Sequence, residues 1–457
     1  MNARSEDPRT ATETPATPGG RRVRPPRAGL SCLLGAALLA GCATYPERTR
    51  QAFGDFSRGH FGPAVTAFAD SDQVGSAFLS GAEAGTAALT AGDWEGALEH
   101  YHRAAAAASH VEGRALAGSE ELGETISSWA INDTARAYYG EGFERVYVHC
   151  GLAMAYLAQG RLDDVFVEVR LANRLLEAEE TLYDSEYRAG GWGHLISALT
   201  YEILGELDQA YVDYERMEEK GLGTEIAGPA LVRLANRLDR QEDLDRWVEA
   251  YGAEAPGMGP AEADAANIVV LAGVGIGPHK VESRLALGTR DGLFAMAGAE
   301  FEGRPQSVAG LRLGVGETRV DTVIVEDVVQ VAQENLSDRQ AWLVAKSAVR
   351  GVLKRELSQR AEEEYGLGGR IAGDLFTFLT ERADLRSWRT LPDTWQAARL
   401  FVPPGAHRLT LDAIGGDSVD LGSFELEPGE TMLVFARSLG ARLFAHPIGG
   451  RPLEDLQ

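Results

Sequence analysis

The densest set of chemistry-bearing side chains in this sequence is Asp384, Arg386, Trp388 and Arg389, with Trp395 a few residues further on. Two guanidinium groups, two indoles and a carboxylate in an irregular stretch suit cation–π stacking, or contact with the flat faces of sugars and peptides. The same composition suits a structural role, an Arg–Asp clamp with Trp wedged between domains. A second aromatic set, Trp129 with Tyr138 and Tyr139, lies in a stretch that also carries Ser127, Asn132 and Thr134. On the concave face of a helical array such side chains mark a partner site, or else they fill the interior. Catalytic chemistry has less footing. No HExxH, GxSxG, CxxC or Walker pattern occurs, and His100 and His102, two residues apart on a helix, point to different faces and make a poor metal pair. No catalytic, cofactor or metal residue is assigned. The run from Gly273 to Lys280 is glycine-rich and follows a strand, but Pro278 interrupts it and an extended run comes next. It reads as a hairpin connection or surface loop rather than a phosphate cradle, with His279 and Lys280 as polar groups in an exposed loop.

The remaining reactive group is the Cys42 thiol. An apolar run from Ala28 to Ala40 follows Arg21, Arg22, Arg24 and Arg27 and ends in Leu39-Ala40-Gly41-Cys42. The run is too short to span a bilayer and suits a cleaved export signal, whose small residues admit a peptidase and whose cysteine takes a diacylglycerol thioether. This is the layout of a bacterial lipoprotein signal. Residue 43 is Ala rather than Asp, which in the sorting logic of Gram-negative lipoproteins implies the outer membrane, with the body facing the periplasm and acyl chains such as palmitate as the anchor.

Of three cysteines, Cys32 leaves with the signal and Cys42 is lipidated, so Cys150 stands alone in the apolar run Val146–Leu152 and reads as a buried, inert thiol. The chain carries 44 basic and 68 acidic residues, a net charge of -24. Loss of residues 1–41, which hold six Arg and three acids, makes the balance more negative. Such a surface repels phosphate backbones, so nucleic acid is excluded as a partner.

What positions these groups is first a helical half. Four segments share one pattern: Gly59-Phe61-Ala64-Phe68, Gly92-Trp94-Ala97-Tyr101-Ala104, Gly160-Leu162-Val165-Val169-Ala172 and Gly205-Leu207-Ala210-Tyr214-Met217. Glycine permits the turn between two helices, the small or branched residue five further on lets them approach, and the bulky ones fill the groove. A degenerate fifth pair with Leu231, Leu234, Leu244 and Trp247 on its apolar face runs from Pro229 to Tyr251. The pattern resembles the tetratricopeptide repeat. Pro256, Gly257, Gly259 and Pro260 then mark a linker.

Beyond it, Asn267–Ala272, Val281–Leu287 and Leu311–Val325 read as strands, and Asn335-Leu336-Ser337 starts a long helix with Trp342, Val349 and Leu353 on one face. Alternating runs at Ala397–Val402, His407–Leu411, Val419–Glu425 and Thr431–Ala436, split by Pro403-Pro404-Gly405 and Pro428-Gly429, indicate an antiparallel module. The fold expected is multidomain α+β: a leader and signal over 1–41, a tetratricopeptide-like α-helical array over 42–251, a linker over 252–264, an α+β region with a long helix over 265–396, and a small antiparallel β-module over 397–457.

With its landmarks at Gly142–Val146, Gly275–Lys280 and Ala383–Pro392, the whole resembles a family of uncharacterised Gram-negative envelope lipoproteins with a tetratricopeptide-like front and a β-containing back. The resemblance implies an envelope role without an assigned activity. The function expected is that of a lipid-anchored scaffold, not an enzyme, whose repeats bind another envelope protein. The alternative is a peptidoglycan or glycan reader using the Trp/Arg stretch 384–395.

Overall fold

The computed structural model describes residues 44–117, 137–183, 189–253, 264–289, 292–339 and 384–453. Cys42, Trp129, the expected helix beyond residue 339 and most of the expected linker lie outside the described residues. All four repeat glycines sit at interhelix turns with positive φ: 78° at Gly59, 76° at Gly92, 68° at Gly160 and 77° at Gly205. L side chains rarely adopt this conformation, so the turn itself selects glycine. The fifth turn uses Asp239 at φ 53° instead.

The turns connect helices in pairs. After the short α1 (Tyr45–Arg48), α2 (Arg50–Ser57) pairs with α3 (Phe61–Phe68). The single-turn α4 (Ser71–Val74) follows, and then α5 (Ala77–Ala91) pairs with α6 (Trp94–Ala117), and α7 (Gly142–Ala158) with α8 (Leu162–Tyr183). The last two pairs are α9 (Gly191–Leu204) with α10 (Leu207–Glu219), and α11 (Thr224–Arg237) with α12 (Gln241–Tyr251). Ala64, Ala97, Val165 and Ala210, all five residues past their glycine, are fully buried. From the second pair to the fourth, the first helix has no exposed side: Phe78–Thr90, Gly142–Leu157 and Gly191–Tyr201 are buried throughout. A helix apolar or small all round needs cover on every side. One side is covered by the second helix of its own pair, which comes close because Gly81 leaves no Cβ to meet the Ala104 backbone nitrogen.

The other side is covered by the C-terminal half. Strand β1 (Ala266–Val274) is buried along its whole length because it is central in a mixed sheet ordered β11 (Arg442–Ile448), β10 (Thr431–Leu439), β1, β7 (Thr394–Val402), β6 (Val323–Asp327). It runs parallel to β10 and antiparallel to β7. Alternation then separates its two faces. Ile268, Val270 and Ala272 join Leu311, Leu313, Leu409 and Leu411 in a core between this sheet and a second one. That second sheet is ordered β12 (Arg451–Leu453), β9 (Ser418–Leu426), β8 (Gly405–Ala413), β4 (Leu311–Val315), β5 (Thr318–Asp321). Val269 and Leu271, with Leu433 and Phe435 of β10 and Trp395 of β7, belong instead to the core of the helices. The layers are therefore second helices, first helices, mixed sheet and outer sheet, and a strand buried on both faces must read as a continuous apolar run. Strands β2 (His279–Thr289) and β3 (Gly292–Glu302) form a separate antiparallel hairpin.

The architecture is α+β, with a helical N-terminal array and a β-rich C-terminal part. Three expectations of detail are corrected. The boundary at 396/397 falls inside β7, and residues from Thr44 onward form one compact unit, because β1 needs β7 and β10 as its neighbours. The final strands are antiparallel to one another, β8 to β9 and β10 to β11, yet they are shared between two sheets with strands from 266–327. The helix expected from Asn335 begins at 328, directly after β6, where the Asp327 carboxylate accepts the Gln330 N–H at 2.9 Å. Among the described residues no helix is long and apolar enough to cross a membrane.

Candidate functional site: the seam between array and sheet

The residues singled out at 384–395 lie where the first helices meet the mixed sheet. Residues 384–393 are irregular, so their backbone N–H groups need partners from elsewhere. Two glutamates on the first helices supply them. Glu83 of α5 accepts the N–H groups of Arg389 at 2.8 Å and Thr390 at 2.9 Å, and also the hydroxyl of Tyr45. Glu144 of α7 accepts the N–H of Trp388 at 2.8 Å and the Tyr138 hydroxyl at 2.6 Å. Three consecutive amides are thus held by two carboxylates from consecutive helix pairs. Glu326 of β6 makes the reverse contact, accepting the N–H groups of Gly190 and Trp192 at 2.6 and 3.2 Å, where donors at a helix start lack intrahelical partners.

The aromatic side chains complete the seal. Trp388 is 2% exposed; its indole N–H is shared between Thr86 and Thr390 at 3.0 and 3.1 Å, and its ring meets Phe78 edge-on. Trp395 stacks on Trp192 with centroids 4.3 Å apart and planes at 7°. Arg386 pairs with Asp384 at 2.6 Å and lies over the Tyr138 ring, while Arg389 lies over Phe53 at 4.2 Å and donates to the Thr49 hydroxyl at 3.1 Å. This is the clamp-and-wedge arrangement. The expectation of a sugar-reading surface is corrected: neither indole has a free face, because both cover apolar side chains of the array. Tyr138 is buried as well, and Tyr139 is half-buried beside it. Between Trp388, Trp395, Trp192 and Tyr101 remains a cavity of about 10 Å³, on the order of the room one water needs.

Charges line this seam. Arg437 of β10 is buried and donates to the carbonyls of Gly273 at 3.0 Å, Gly275, and Thr390 at 3.1 Å, with no carboxylate within ion-pair distance among the described residues. Its burial lowers the guanidinium to about 9. Burial, with Glu141 nearby, pushes the Glu144 carboxyl up to about 7, and burial raises Glu83 too. For Glu141 burial acts upward, but Arg339 at 2.8 Å and Lys280 at 2.6 Å outweigh it and hold the carboxyl well below its usual range. Lys280 is therefore not in an exposed loop. It is 5% exposed, and the Gly277 N–H donates to the Leu391 carbonyl, so the glycine-rich run is part of the seam. At the far end of the array, Arg399 and Arg233 share Glu202, both at 2.8 Å.

Elsewhere, His100 contacts Arg103 while His102 reaches the Tyr156 hydroxyl at 2.7 Å, so the two histidines do face different partners. Cys150 is buried and free, and burial pushes its thiol well up. Sequence reasoning missed Glu83, Glu144 and Glu326. The available signal was an acid inside a helix with no polar side: Glu83 stands between Leu79 and Leu89 among Ala, Gly, Ser and Thr.

No family model matches this chain, and no curated protein does. Among solved structures, one described as the functional characterization of Pseudomonas aeruginosa pilF matches with 17% identity and a TM-score of 0.22, over 45% of this chain and 91% of that one. A score that low carries no weight for function.

Proposed function

We propose that the protein is a lipid-anchored scaffold on the periplasmic face of the outer membrane that binds another envelope protein through the outer, second helices of its repeats. One observation carries the choice of surface: the first helices of the second to fourth pairs, α5, α7 and α9, are buried against the chain's own sheet and residues 384–393. The second helices keep an open stripe. Val167 and Val212 stand seven residues after Gly160 and Gly205 in neighbouring repeats, and they are 59% and 40% exposed. A repeat surface presents equivalent positions at regular intervals, which suits an elongated protein partner. Peptidoglycan binding loses its support with the burial of Trp388 and Trp395.

The test is affinity recovery from detergent-solubilised envelopes. The wild-type protein should retain a stoichiometric partner that the double variant Val167→Asp/Val212→Asp loses while its melting temperature stays unchanged. Equal recovery with both proteins would move the binding surface elsewhere. Binding to purified sacculi that survives the double variant would revive the glycan alternative.

A further inference from the structure

The chain is buried almost as soon as it leaves the proposed anchor. Thr44 is two residues past Cys42, and Tyr45 is already 3% exposed, with its hydroxyl on Glu83. Thr49 takes the Arg389 guanidinium. Phe53 lies beneath both Arg389 and Arg304, at 4.2 and 5.0 Å. Phe56 is fully buried, the Arg58 carbonyl accepts from Arg442, and Phe61 meets Phe444 edge-on at 4.8 Å. Residues 45–61 therefore cross the seam from α5 to β11 and are fastened to both halves. They are not a spacer.

We propose that the body is mounted close against the lipid surface, so that the face around Thr44, formed by α1 and the packed α4, stays at the headgroup layer. This rests on lipid attachment at Cys42 as proposed above. Two residues reach about 7 Å, roughly the thickness of one headgroup layer. A flexible Gly/Ser tether of twenty residues would allow about 25 Å and free tumbling. The face carries charges of both signs, with Glu47 and Asp72 exposed on it next to Arg48 and the exposed Arg50, so charge alone does not draw it down onto anionic headgroups. The reach of the chain holds it there. The lipid is then coupled to the seam, because the carboxylate that receives Tyr45 is the one that holds Arg389 and Thr390.

The full lipidated chain, in vesicles carrying a headgroup quencher, tests this with a fluorophore at Asp72→Cys or at Val212→Cys. Acylated Cys42 and buried Cys150 leave the new thiol as the labelling site. The mount predicts quenching at position 72 several-fold stronger than at 212, falling to the level of 212 when twenty Gly/Ser residues are inserted between Ala43 and Thr44. Quenching at 72 that the insertion leaves unchanged would overturn it. Flotation separates the two failures: if Cys42→Ser floats with vesicles as the wild type does, or neither floats, the anchor itself is wrong and the mount falls with it. Loss of flotation in Cys42→Ser with position 72 unquenched in the wild type overturns the mount alone.

Discussion

The first and second helices of the array share one repeat pattern and have opposite surroundings. The first helices, α5, α7 and α9, are buried and carry few charges, and those few are turned on the same chain: Glu83 and Glu144 hold backbone amides of residues 388–390, while Glu202 pairs with Arg233 and Arg399. The second helices carry one buried stripe and one exposed, mostly charged face broken by Val167 and Val212. In this protein the inner groove of the repeats is a folding surface, occupied by residues 384–393 and the mixed sheet. On the proposed reading a partner is met by the outer face, and substitutions on the two faces should then separate stability from binding.

Glu83→Ala should show the largest effect. It leaves the Tyr45 hydroxyl and the Arg389 and Thr390 amides without an acceptor, at about 1–3 kcal/mol for each buried donor, and denaturant unfolding should report a loss of several kcal/mol with little soluble protein at 37 °C. Trp388→Ala should cost about 3–5 kcal/mol by opening a cavity beside Phe78 and Tyr101, measured the same way. A loss under about 1 kcal/mol for either would mean that the groove is not sealed by this segment.

A third effect concerns pH. Burial and the neighbouring Glu141 raise Glu144 from 4.5 to about 7, so the folded state holds its proton where the unfolded state has released it. This contribution to stability is complete below about pH 4.5 and is lost as pH rises through about 7, with a slope of at most about 1.4 kcal/mol per pH unit. Glu144→Gln should flatten the unfolding free energy between pH 5 and 8 relative to wild type; identical pH profiles would contradict the assignment. The smallest effect on stability belongs to the outer face, where Val212→Asp should change the unfolding free energy by no more than about 0.5 kcal/mol while weakening partner recovery.

The same contrast separates what the sequence disclosed from what it hid. The turns at Gly59, Gly92, Gly160 and Gly205 were legible because a left-handed turn and the helix after it are local, and their residue requirements fall within a window of about ten positions. The strand at 267–272 was legible as well, since a run apolar on both faces needs cover on both. The seam was not. Glu83 and Thr390 are 307 residues apart, and nothing in local pattern distinguishes a glutamate that will hold a distant amide from one bathed in water. Trp388 and Arg389 stood out by composition, yet the same side chains serve a sugar site or a wedge, and only the position of β7 beside β1 decides between them. Lys280 was misread for the same reason: its partner Glu141 is 139 residues away.

The most direct measurement is amide hydrogen exchange at Trp388, Arg389 and Thr390. These residues lie in an irregular segment, where amides commonly exchange through small local openings. Held by Glu83 and Glu144, they should exchange only by global unfolding, with protection matching that of Val269 and Leu271 in β1. Exchange at the rate of an open loop, with β1 fully protected, would show that the segment does not close the groove and would return the inner face of the repeats to the list of binding surfaces.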